Sequence, residues 1–139
     1  MNGSATATPL VILVALSLLL AGCATSRGLA RPPTPKALPA TVQTGEASWY
    51  GECHQGRRTA SGEVYDMRRL TAAHSTLPLG TVVLVTNLKN DRSVKVRVND
   101  RGPVVAGRII DLSYAAATEL RAVHDGTIPV RVRVLSSPP

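Results

Sequence analysis

Ser93–Asn99 reads SVKVRVN, with Val94, Val96 and Val98 alternating against Lys95, Arg97 and Asn99. Apolar residues at every second position lay one side of the chain on a core and leave the other in water, which marks a half-buried strand. The alternation returns at Pro129–Leu135, where Val130, Val132 and Val134 interleave with Arg131 and Arg133. Thr81–Thr86, TVVLVT, is a continuous apolar run of the kind that fills a strand covered on both faces. Between it and the Ser93 strand lies NLKNDR, whose Asn and Asp residues favour a turn. Glu46–Tyr50, Leu70–Ala73 and Ile109–Asp111 are shorter strand candidates. The spacing predicts one helix, in SYAAATELRAV, capped by Ser113 and built on Ala115, Ala116, Ala117 and Leu120. Asp125-Gly126 then turns the chain into the last strand. About six strands and one short helix make an all-β domain; closure into a small barrel would remove its exposed edges, and an open sandwich is the alternative.

Upstream of Gly45 the pattern is different. Residues 1–22 carry no acidic or basic side chain, and Leu10–Leu20 is almost uniformly aliphatic. That run falls short of the ~20 apolar residues a spanning helix needs. It suits the core of an export signal, because small residues lead from it to a single cysteine in Leu20-Ala21-Gly22-Cys23. This LAGC resembles a bacterial lipobox, which makes Cys23 the expected site of lipidation and residues 1–22 a cleaved signal peptide. The alternative is a buried helix ending in an ordinary cysteine. Residues 23–44 hold four prolines and no hydrophobic periodicity, the composition of an extended, solvated tether. The folded domain is expected to span residues 45–136.

With Cys23 lipidated, Cys53 has no partner within the chain, so no internal disulfide staples the fold. There is no Phe and a single Trp, so the core must be filled by Val, Leu and Ile. The formal net charge is +7, all of it in the mature part. For an exported lipoprotein the available anions are lipid headgroups and cell-wall peptides rather than nucleic acid, so the charge reads as surface attraction, with a solvated basic surface without a partner as the equal alternative.

Ionisable residues gather at the strand ends. TASGEVYD (Thr59–Asp66) supplies Glu63 and Asp66, LTAAHSTLPLGT supplies His74, VNDRGP supplies Asn99, Asp100 and Arg101, and RIIDLS supplies Asp111. Each also has a structural explanation. Asp100 could order its own turn, Asp111 could favour the positive end of the following helix, and His74 could be a satisfied core histidine. Yet a chain with only nine acids places four of them in these segments. No His or Cys pair has metal-ligand spacing, and there is no nucleophile elbow or phosphate-binding glycine loop, so no metal or cofactor is expected. Carboxyl acid chemistry is what remains, and a glycosidic bond is its natural target: the leaving oxygen needs a proton from a carboxyl in apolar surroundings, which suits both Asp100 and Asp111.

GEASWYG, GRRTASGEVYDM, LTAAHSTLPLGT, VTNL, VNDRGP and GRIIDLSYAAA, in this order and spacing, resemble the rare lipoprotein A (RlpA) family, septal-ring lytic transglycosylases. The resemblance covers Gly45–Leu135. It implies a six-stranded double-psi β-barrel with one or two short helices, a barrel shared with expansins and some endoglucanases. It also implies cleavage of peptidoglycan glycan strands, peptide-poor ones in particular, between N-acetylmuramic acid and N-acetylglucosamine, leaving 1,6-anhydro ends. Carried over by position, the family's active-site residues fall on Glu63, Asp66, His74 and Asp100, and the wider superfamily adds Asp111. Asp100 is the expected acid, with Asp111 next to it in rank. His74 would orient the acid, and Glu63 and Asp66 would line the groove. Trp49 or Tyr50 would stack on a sugar, with Thr59, Asn99 and Arg101 among the substrate-binding residues. Where many members read Phe-His-Gly, this chain reads His54-Gln55-Gly56, and no role is carried over to that histidine. Many members also continue into a C-terminal glycan-binding SPOR domain, whereas this sequence runs to Pro139 just after the last strand, so septal targeting is not carried over.

Two other readings compete. One is a non-enzymatic, expansin-like wall binder with the same acids in a groove, and the other is a lipoprotein scaffold for division-site proteins. The expected location is the cell envelope, lipid-anchored, facing the periplasm from the outer membrane in a Gram-negative organism.

Overall fold

The computed structural model describes residues 41–139. Residues 1–40, with the expected signal peptide, the lipidation site Cys23 and most of the tether, lie outside the described residues. Six strands form the domain: β1 (Val42–Tyr50), β2 (Thr71–His74), β3 (Val82–Asn87), β4 (Ser93–Asp100), β5 (Arg108–Ser113) and β6 (Ile128–Ser136). Helix α1 (Tyr114–Glu119) follows β5, and a single 3-10 turn, Glu52–His54, follows β1. The strands close into a barrel in the order β1-β5-β2-β4-β3-β6, with β1/β5 and β2/β4 parallel and the other pairs antiparallel. Closure leaves no free edge, which decides for the barrel that the family resemblance implied between the two architectures the sequence pattern left open.

The valines of the alternating runs fill the interior. Val83 and Val85, Val94, Val96 and Val98, and Val130 and Val132 meet Ile110, Leu112 and Ile128 in one buried cluster. Helix α1 adds Ala116, Ala117 and Leu120 to it. Its cap is the one expected: the Ser113 hydroxyl accepts from Ala116 N at 3.2 Å.

Two differences from the sequence reading matter for the fold. β1 begins at Val42, not at Glu46, because Val42, Gln43 and Thr44 pair with Arg133, Val132 and Arg131 of β6. Gly45 therefore lies inside the strand, where a Cβ would meet Ile109 Cγ2 at 2.7 Å; the residue is glycine because β5 crosses it closely. β3 is not buried on both faces. Val83, Val85 and Asn87 point inward while Val82, Leu84 and Thr86 are only half covered, since a strand in a closed barrel has one inner and one outer side.

Candidate active site

The two aspartates meet across one residue. On β2, Ala73 pairs with Asp100 of β4 on one side and with Asp111 of β5 on the other. Asp100 and Asp111 thus stand two strand spacings apart, about 10 Å at the backbone. The neighbours of Asp111 along β5, Ile110 and Leu112, are in the core, so Asp111 faces out. A register shift between Ala72 and Ala73 brings Asp100 into line with it. The sequence reading set Asp100 just past a strand; it is the last paired residue of β4.

Different groups hold the two carboxyls. Asp111 Oδ1 accepts from Ser48 Oγ of β1 at 2.6 Å and from the Arg108 guanidinium, in a half-buried ion pair. Asp100 Oδ1 accepts from two backbone amides, Ala60 N at 2.9 Å and Arg101 N at 2.8 Å. Among the described residues neither Oδ2 has a hydrogen-bond donor. Gly102, in the left-handed region at φ 127°, brings the VNDRGP loop to Asp111: a Cβ there would stand 3.8 Å from Asp111 Oδ2.

Tyr50 completes the centre. Like Ser48 two residues before it, it lies on the outward side of β1, paired with Ser113 of β5. Its hydroxyl is buried without a partner among the described residues. Burial pushes that hydroxyl well above its ordinary range, and Asp100, Tyr65 and Asp111 push it further, so it stays protonated and available as a donor. Tyr65 Oη donates to the Tyr50 carbonyl at 2.8 Å, and the two rings lie 4.7 Å apart.

Two pockets adjoin at Tyr50 and His54. One, of about 290 Å³, is polar and lined by Arg57, Arg58, Thr59, Tyr65 and Asp100 besides these two. The other, of about 620 Å³, is aromatic, with Trp49 and Tyr114 in edge contact at 5.5 Å and Met67 on its wall. An aromatic surface leading to a carboxyl suits a sugar chain, whose ring faces are apolar and whose rims are hydroxyls.

The remaining expected residues do other work. His74 is 1% exposed, inside β2 rather than beyond it. Its Nδ1 accepts from Thr76 N and Leu77 N at 3.2 and 3.1 Å, and Nε2–H donates to Gln43 Oε1 at 3.1 Å. Burial, aided by Arg101, holds it below its usual range, so the ring is a neutral organiser of the turn after β2 and touches neither aspartate. Arg101 grips the same turn by donating to the His74 and Leu77 carbonyls at 3.1 and 2.6 Å, which fixes the chain beside Asp100. Glu63 is exposed and tied to Arg97 and Asn99, and these two hydrogen bonds hold its carboxyl below the usual carboxylate range. Asp66 accepts from Arg68 N at 3.0 Å and shapes its own turn. Thr59 is buried and bonded within the 59–63 loop, which Asn99 O docks onto β4 through Ser61 N at 3.0 Å.

Sequence reasoning missed Ser48, Arg108 and Tyr114. Arg108 lies three residues before Asp111 and Ser48 two before Tyr50, but their convergence depends on parallel β1/β5 pairing, which no local pattern announces. Among the described residues no three His, Cys, Asp or Glu side chains gather as a metal would need.

Comparison with known proteins adds independent findings. Residues 42–132 match the family described as Lytic transglycolase, a double-psi β-barrel family. The chain is 52% identical over 103 residues to a Campylobacter jejuni protein named Endolytic peptidoglycan transglycosylase RlpA, a match that covers 74% of this chain and 37% of that protein. A Vibrio cholerae protein of the same name is 54% identical over 95 residues, covering 68% of this chain and 36% of its own length. The chain thus spans little more than a third of these relatives. Among solved structures, the Streptomyces papain inhibitor (TM-score 0.58) and the apo form of a Clavibacter michiganensis expansin (TM-score 0.56) are each 25% identical over 71% of this chain. The matches cover 99% of the inhibitor and 52% of the expansin.

Proposed function

Since the chain belongs to the lytic transglycolase family of double-psi β-barrels, we propose that it cuts peptidoglycan glycan strands by transglycosylation, with Asp100 as the proton carrier. The observation that supports this most is the pair of aspartates flanking Ala73, each with Oδ1 held by the protein, with Asp100 lining the polar pocket that adjoins the aromatic one. Asp100 gives its proton to the glycosidic oxygen as the bond from C1 of N-acetylmuramic acid breaks. The 6-hydroxyl of the same sugar then closes on C1 and returns its proton to Asp100, so the product is a 1,6-anhydro end and no water is consumed. Because that hydroxyl replaces water, one carboxyl serves in both steps, unlike the paired groups of hydrolytic glycosidases. Asp111, which accepts from Arg108 and Ser48 through Oδ1, suits stabilisation of the positive charge that develops at C1. The Tyr50 hydroxyl is placed to donate to a sugar oxygen, and Trp49 and Tyr114 offer stacking surfaces.

The test is to incubate the chain and its Asp100→Asn form with intact and peptide-stripped peptidoglycan and to read soluble products by mass spectrometry. Anhydro-ended fragments from the wild type and not the variant are expected, released faster from stripped strands. Retention on the glycan without any product would make the protein an expansin-like binder. Neither product nor retention on the glycan from the wild type, with no cellular phenotype on replacing both aspartates, would favour a scaffold for division-site proteins. We place the protein in the cell envelope on a lipid at Cys23, a reading that rests on the aliphatic run before LAGC. Incorporation of an alkyne-tagged fatty acid that Cys23→Ser abolishes is the expected result.

A further inference from the structure

The barrel wall opposite the cleft carries a second pattern. Asp111 and Ala73 lie on β5 and β2, and half-way round the closed sheet are β6 and β3. There the outward residues stand in rows. Lys95 of β4 pairs with Leu84 of β3, Leu84 with Arg133 of β6, and Arg133 with Val42 of β1. In the next row Ser93, Thr86, Arg131 and Thr44 are neighbours. The alternate residues of β3, β4 and β6 fill the core, so these rows face solvent. Lys95, Arg131 and Arg133 are exposed and have no ion-pair partner among the described residues. Val42 and Leu135 are 51% and 41% exposed on the same wall. Among the described residues the acids nearest to it stand at its margins: Glu63 on Arg97, Glu46 opposite Pro129, and exposed Asp91 in the turn between β3 and β4.

We propose that this wall docks on the anionic phospholipid surface of a bilayer, which turns the Asp100 cleft toward the cell wall. Cations alone would suit any polyanion, but cations interleaved with exposed Val and half-covered Leu fit an interface that offers phosphates beside acyl chains. The chain's connectivity points the same way. The segment carrying the aliphatic run Leu10–Leu20 enters the domain at Val42, which shares a row with Arg133, while Thr41 O accepts from Val134 N at 3.2 Å. Whatever attaches residues 1–40 to a membrane therefore joins the domain at the edge of this wall and not at the cleft.

The experiment attaches an environment-sensitive fluorophore at Thr86→Cys in the full chain, with Cys23→Ser and Cys53→Ser so that the label is unique and lipidation plays no part. The chain is mixed with vesicles of phosphatidylcholine alone or with phosphatidylglycerol added. A blue-shifted, brighter emission with the anionic vesicles only, reversed by high salt, is expected. Arg131→Glu with Arg133→Glu should lower the docked-to-free ratio by more than about 25-fold, since loss of each cation alone is worth about five-fold. The milder Arg131→Gln with Arg133→Gln should show the same direction without introducing repulsion. Equal emission with both vesicle types, or no effect of either double variant, would overturn the proposal. An equal response to soluble polyphosphate would assign the wall to an anionic polymer instead and overturn the lipid partner. Release of peptidoglycan fragments by the charge variants, measured without vesicles, should match the wild type, so failure to dock and failure of the transglycosylase reading are separate results.

Discussion

Tyr50, Asp100 and Asp111 share one outward surface, yet each is held for a different task. The Tyr50 hydroxyl is buried with no partner among the described residues, so removing it deletes no folding hydrogen bond. Tyr50→Phe should therefore leave stability within about 0.5 kcal/mol of wild type, while release of anhydro fragments falls about ten-fold or more. Equal loss of both would mean that the tyrosine is only structural. With Asp100 as the proposed proton carrier, Asp100→Asn should cost about a hundred- to ten-thousand-fold in rate. Asp111→Asn keeps a hydrogen-bond acceptor for Ser48 but loses the ion pair with Arg108, so a smaller loss of rate is expected, together with a measurable loss of thermal stability. If Asp111→Asn were the more severe in rate, the roles of the two carboxyls would be exchanged.

At the scale of elements, the turn after β2 and the start of α1 set the site's precision. Ser113 ends β5 and caps α1 in one residue, accepting from Ala116 N, with Thr71 N at 3.5 Å on the same hydroxyl. Ser113→Ala should cost about 1 kcal/mol in urea unfolding, and more if the buried Thr71 amide is left without an acceptor. His74 makes the same region sensitive to acid. In the folded chain it stays neutral below its usual value of 6.5, whereas the unfolded chain takes up a proton there. The unfolded state thus binds more protons, so stability is complete above about pH 6.5 and declines as pH falls through that value toward the lower folded one. His74→Asn, which keeps an acceptor for the Thr76 and Leu77 amides, should flatten the dependence of the melting temperature on pH between about 7 and 5. An unchanged slope would place the acid sensitivity elsewhere.

For the whole molecule, closure makes the core one unit. Leu112 is 1% exposed and pairs with Trp49 on one side and Ala72 on the other. Leu112→Ala should cost about 3 kcal/mol, and urea unfolding followed by Trp49 fluorescence and by circular dichroism should still coincide. Two separate transitions would show that the walls of the barrel unfold independently. The same closure sets the aspartate-bearing and cationic walls back to back, because the pairs β5-β2 and β3-β6 are as far apart as a six-stranded ring allows.

The alternating valines and the Ser113 cap were legible as six strands and a helix because side-chain period and capping are local properties. The motif strings also pointed to the family and its aspartates. Tertiary structure alone decided how they act. Parallel pairing of β1 with β5 and of β2 with β4 carries Ser48 and Tyr50 to Asp111, and puts Ala73 between the two carboxyls. It also revealed His74 as a buried organiser and Gly45 as the crossing point of β5, and it aligned Lys95, Arg133 and Val42 in one row. These contacts join residues dozens of positions apart, and a periodicity along the chain reports which face a residue takes but not which strand will lie beside it.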